Sequence, residues 1–129
     1  MKVKTSELEG AALDWAVANA IGRKVEMTQA FSTLSHGHEW SGWLLWCMET
    51  NRPWRPRTAW AQGGPLIEKY HVQIESNLVD EWAALVAIET PAEEPGWISK
   101  SGPTPLIAAY RVIVTAKLGD VVDVPEGLV

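Results

Sequence analysis

An α+β fold, a small mainly antiparallel sheet with two main helices packed on one face, follows from two observations along this chain. Two stretches, near 6–22 and 104–119, carry apolar residues at helical spacing between recognisable start and stop residues. Short runs of alternating polarity lie before, between and after them, as half-buried strands require. No stretch repeats another and no linker interrupts the sequence, so 1–129 reads as a single domain.

Lys2-Val3-Lys4-Thr5 alternates and suits an edge strand. Ser6 stands three residues before Glu9, the capping-box spacing, which predicts a helix start there. Leu8, Ala11, Ala12, Trp15, Ala18 and Ile21 form one stripe, and Gly22 closes the helix with Arg23 and Lys24 near its negative end. Asp14 lies beside the stripe, the usual place of a solvated or ion-paired acid. Val25 to Phe31 alternates as a strand, and Leu34 to Gly42 reads as a loop with Ser-His-Gly-His at its tip. Trp43 to Met48 is a short apolar run, a buried strand or a buried helical turn. Asn51 to Thr58 is extended because each proline restricts the residue before it, and it sets three arginines around Trp54.

Leu66 to Tyr70 predicts a short helix and Val72 to Glu75 a strand. Trp82 to Ile88 has the length and composition of a central strand. Thr90 to Pro103, with its prolines, glycines and paired acids, reads as a solvated loop. Thr104 as N-cap and Pro105 as first helical residue open the second main helix, which Gly119 closes. Val112 to Thr115 favours strand by propensity and weakens that helix towards its end. Val121 to Val124 predicts a last short strand.

Composition narrows the function. The chain has 129 residues, 47% of them apolar, which is enough for a real core. A net charge of −5 opposes sequence-blind attraction to duplex nucleic acid or an anionic membrane. One cysteine, Cys47, permits no internal disulfide, and no apolar stretch approaches the roughly 20 residues of a membrane span. A soluble, cytoplasmic protein is expected. Eight tryptophans, against two tyrosines and one phenylalanine, imply either a Trp-built core or a surface that stacks on something flat.

Several blocks share an order along the chain: Thr5-Ser6-Glu7-Leu8 with Gly10 to Ala18, then Trp60-Ala61-Gln62-Gly63-Gly64-Pro65-Leu66-Ile67-Glu68, then Gly102 to Ala109 with Arg111, then Lys117-Leu118-Gly119-Asp120. Together they resemble the NinX-like family of small phage and prophage proteins. The resemblance implies a protein encoded by a bacteriophage or prophage and acting in the bacterial cytoplasm. It supplies no activity or catalytic residue to carry over. An aspartate is the residue to look for just before Trp60, where this chain has Ala59.

The candidate site joins two glycine-proline corners. Gly63-Gly64-Pro65 and Gly102-Pro103-Thr104-Pro105 each predict a helix start with unpaired amides, which together make an anion-accepting corner if the fold brings them side by side. Arg111 leans back towards that corner, Trp60 is placed to stack on a ring, Gln62 to read donors and acceptors, and Arg57 to contact phosphate. The expected ligand-binding set is Trp60, Gln62, Gly63, Gly64, Thr104, Arg111 and Arg57. The structural alternative keeps the Gly-Pro pairs as turns, Arg111 paired with Asp14, and Trp60 in the core.

Other chemistries have weaker support. His36 and His38 with Cys47 or His71 lack the spacing of a structural zinc site, and Cys47 sits in an apolar run where a thiol packs. The Arg52 to Arg57 segment with Trp54 suits single-stranded nucleic acid by stacking and charge, or a plain solvated loop. No phosphate loop, dinucleotide fingerprint or nucleophile elbow is present, and no catalytic residue, metal ligand or cofactor is expected. The function expected is a non-catalytic binder of a small anionic ligand such as a nucleotide. The alternative is an adaptor that binds a host or phage protein through exposed Trp and Arg residues.

Overall fold

The computed structural model describes residues 1–33, 39–77, 81–88 and 96–128. Its element order is β1 (Lys2–Lys4), α1 (Gly10–Ile21), β2 (Val25–Thr33), β3 (Glu39–Cys47), β4 (Arg52–Pro53), α2 (Trp60–Lys69), β5 (Gln73–Asn77), β6 (Glu81–Ile88), β7 (Gly96–Gly102), α3 (Pro105–Leu118) and β8 (Val121–Asp123). The fold is α+β, and among the described residues every strand pairing is antiparallel. The strands form three small sheets among the described residues, β1-β8, β2-β3-β4 and β5-β6-β7, instead of one.

Helix α3 is the axis of the core. Alternation along β6 turns Ala84 and Val86 to the buried side, where α3 packs across β6 and β7. Helix α1 lies against α3 on another side and also meets β3. Both helices bury alanines completely, Ala16 and Ala18 in α1 and Ala108 and Ala109 in α3, which allows close approach around Leu13, Val17, Tyr110 and Ile113. The β-favouring run Val112 to Thr115 is helical throughout, because burial on this face outweighs propensity.

Local signals hold at several ends. Thr104 caps α3, its Oγ1 accepting the Ile107 N–H at 3.1 Å, with Pro105 first in the helix. Gly22 ends α1 at φ +78°, where its N–H donates to Asn19 O and the Arg23 N–H to Ala18 O, a Schellman closure.

Three expectations are corrected and one open alternative is resolved. The capping box of Ser6 and Glu9 does not form. Thr5 is instead drawn into the core, its N–H donating to Asp120 O at 2.8 Å and its Oγ1 to Gly119 O at 2.7 Å, and a 3-10 turn over Thr5–Glu7 delays α1 to Gly10. Of the two readings of Trp43 to Met48, the structure has the strand, which runs to Cys47 and pairs with β2. Residues 96–102, expected in a loop, form β7, whose alternating exposure matches its place at the edge of β6. Helix α2 begins at Trp60, well before the expected Leu66, and carries Pro65 inside it. The rest of the expected 90–103 loop, to Pro95, and the His36 and His38 tip lie outside the described residues.

Candidate ligand-binding site

The segment between β4 and α2 explains where α2 starts. The Thr58 and Ala59 N–H groups both donate to Arg55 O, a turn that feeds the helix before any glycine is reached. Gln62 secures it: its Oε1 accepts the Arg55 N–H at 2.8 Å and its Nε2 donates to Pro53 O at 2.8 Å. Pro65 is tolerated because the carbonyl it leaves unpaired is that of Ala61, an exposed residue within reach of water.

Beneath this segment lies a buried polar cluster. Asp14, 1% exposed in the middle of α1, accepts the Arg57 backbone N–H at 3.1 Å and pairs with the Arg57 guanidinium. The Trp54 indole, only 4% exposed, donates to Asp14 O at 2.8 Å, and the Tyr110 hydroxyl donates to Pro56 O. Burial pushes the Asp14 carboxyl up to about 6 against the opposing pull of Arg57. Burial, with the Asp14 charge, also raises the Tyr110 hydroxyl well above its ordinary value.

The expected site residues can now be placed. Gly63 is buried where α2 crosses α3; a Cβ there would stand 1.8 Å from the Tyr110 hydroxyl and 2.8 Å from Leu106 Cδ2. Its N–H donates to Ala59 O, so the array of unpaired amides expected at Gly63 and Gly64 does not form. The close approach expected of these glycines is made by another part of the chain, and only at Gly63; a Cβ on Gly64 would meet open space. Thr104 caps its own helix. The Arg111 Nε donates to Leu8 O and its Nη1 to Ser101 O, both at 3.0 Å, while burial lowers its pKa and the Glu9 charge opposes that. Arg57, not Arg111, is the partner of Asp14. Trp60 alone of the set projects a large exposed side chain, at 55%. Trp54 is buried and offers no stacking surface to single-stranded nucleic acid.

At the opposite ends of α2 and α3 a pocket of about 450 Å³ opens against the end of β6. Its floor is aliphatic, Val86, Ile88, Ile113 and Ala116; its rim is Lys69, Tyr70, His71 and Lys117. The two ammonium groups stand 5.5 and 5.1 Å from the centroid of the Tyr70 ring. Among the described residues neither lysine is in an ion pair. His71 holds φ +52° and closes α2 in a Schellman geometry, its N–H donating to Glu68 O and the Val72 N–H to Ile67 O. Left-handed backbone at a residue other than glycine is strained, and such strain concentrates at ligand sites. Sequence reasoning missed this pocket because a lysine near a helix end reads as a complement to the helix dipole; the adjacent Lys69-Tyr70-His71 was the available signal.

Among the described residues no group of three or more His, Cys, Asp or Glu is placed to hold a metal ion, and Cys47 is fully buried. No helix among them is long and apolar enough to cross a membrane. The fold and pocket thus define a small α+β protein with a basic-rimmed cavity. The chain belongs to the NinX family of bacteriophage P22, whose family model matches residues 4–117, and it is therefore a phage accessory protein. Comparison with curated proteins gives no match.

Proposed function

We propose that this phage protein works by binding a small anionic ligand without transforming it, and that the ligand sits in the pocket between the C-terminal ends of α2 and α3. The observation that carries this reading is the pair of lysines, Lys69 and Lys117, converging on Tyr70 above an aliphatic floor. A volume of about 450 Å³ falls within the range of small-molecule pockets, roughly 300–1,000 Å³. Two cations lining one pocket supply a local attraction that opposes the chain's net charge of −5.

Isothermal titration of the native chain with inorganic phosphate, nucleoside monophosphates and small carboxylates tests it. At least one anion should bind and raise the melting temperature. Lys69→Gln with Lys117→Gln should lose that binding and leave the melting temperature of the free protein within a few degrees. Binding that survives the double substitution, or no anion bound at all, overturns the proposal.

A second reading, an adaptor for a host or phage protein, is favoured by Trp60 and Trp97, exposed at 55% and 57%. Retention of one protein from host lysate, lost on Trp60→Ala, supports it. Equal retention by Trp60→Ala and Trp97→Ala variants counts against it.

A further inference from the structure

The same pocket constrains the body of its ligand, and this step rests on the small-anion reading above. We infer that the ligand is an aliphatic anion with a single acidic head, a carboxylate or phosphate monoester carrying a short alkyl chain, and not a nucleotide.

A nucleotide base needs a free aromatic face to stack on and side-chain donors and acceptors to read its edge. Two aromatic rings line this pocket among the described residues: Tyr70, whose surroundings are taken by two ammonium groups, and the small imidazole of His71, at the exposed rim. The side-chain donors and acceptors, those of Lys69, Tyr70, His71 and Lys117, are confined to the rim, and none belongs to Val86, Ile88, Ile113 or Ala116, so a base edge laid on the floor would be buried against side chains that cannot pair with it. Alkyl carbons meet no such penalty. Val86, Ile88, Ile113 and Ala116 offer only methyl and methylene surface, and removing a chain from water against them is favourable. At the rim, the cations are both lysines, point charges without the planar fork that arginine presents to phosphate. A single carboxylate or phosphate head between two such ammonium groups satisfies them, and the chain behind it points at the floor.

The experiment is titration calorimetry of the native protein at low salt with hexanoate, octanoate and decanoate, and with octanol, AMP and inorganic phosphate as comparisons. Affinity should rise about fourfold per added methylene until the floor is covered. Octanoate should bind at least tenfold tighter than AMP or phosphate, and at least tenfold tighter than octanol. Ala116→Leu, which fills the floor with a residue that favours helix, should weaken octanoate at least tenfold while the protein melts no earlier. AMP binding as tightly as octanoate, or affinity flat with chain length, overturns the aliphatic inference and leaves the small-anion reading standing. Octanol binding as tightly as octanoate overturns the anion reading instead. Octanoate undisturbed by Ala116→Leu puts the ligand outside this pocket and overturns the inference. Silence from the whole panel overturns both.

Discussion

Asp14 is a carboxylate held where a carboxylate is poorly solvated, and its partner Arg57 reaches solvent while Asp14 does not. The folded state therefore holds the Asp14 proton more tightly than the unfolded chain does. Stability from this group is fully present below the ordinary value of 3.8 and is lost as pH rises through about 6. Relative to Asp14→Asn, the native protein should lose about 3 kcal/mol between pH 3.5 and pH 7, read by urea denaturation at each pH. An equal pH slope in both proteins would remove Asp14 as the cause. Gly63 and Gly64 are neighbours with opposite expectations. Gly63→Ala should destabilise by about 3 kcal/mol despite alanine's better helix propensity, because its methyl meets Tyr110 and Leu106. Gly64→Ala, facing open space, should stabilise by about 1 kcal/mol. Adding Tyr110→Phe to Gly63→Ala removes the nearest atom and should recover part of the loss in the same thermal or chemical melts.

Each end of helix α2 carries a weakness. Its N-cap is Ala59, which makes no side-chain cap bond. Ala59→Asp should add about 1 kcal/mol by giving the first turn an acceptor and a negative charge, and an unchanged melting temperature would show that Gln62 and the preceding turn already hold this end. At the other end His71→Gly should stabilise by about 1 kcal/mol by relieving the left-handed backbone, and should weaken the ligand of the pocket it lines. A variant more stable and equally tight would remove His71 from the site. The start of α3 was legible from sequence because Thr104 and Pro105 act through bonds a few residues long. The start of α2 was not, because Gly63 serves a contact with Tyr110, 47 residues on, and Gly-Gly-Pro without its neighbour looks like punctuation. Residues 96–102 were misread for a related reason: glycines and prolines surround them and Trp97-Ile98-Ser99-Lys100 does not alternate in polarity, so the strand shows only in the alternating exposure that comes with pairing to β6.

Across the molecule, charge and shape act at different ranges. Ligand capture at the two lysines should weaken with salt, since the attraction is between charges at an open rim and the chain's net charge of −5 adds no long-range pull on an anion. Raising ionic strength from 0.02 to 0.5 M should weaken the anion several-fold, while the methylene increment stays constant; a salt-independent affinity would locate the recognition elsewhere. The fold class was legible because both main helices carry their own stripes and stops. The division into three sheets was not, since which strand finds which partner depends on separations that no local pattern encodes. The pocket was hidden for the same reason: Lys69 and Lys117 are 48 positions apart and meet only over Tyr70. The outermost strands share that dependence in its strongest form, because β1 closes on β8 and Thr5 hangs from the carbonyls of Gly119 and Asp120. During synthesis residues 2–5 stay unpartnered until residues 119–123 have been added. A chain cut short before residue 119 thus leaves Thr5 without its two carbonyl partners and the core unlatched.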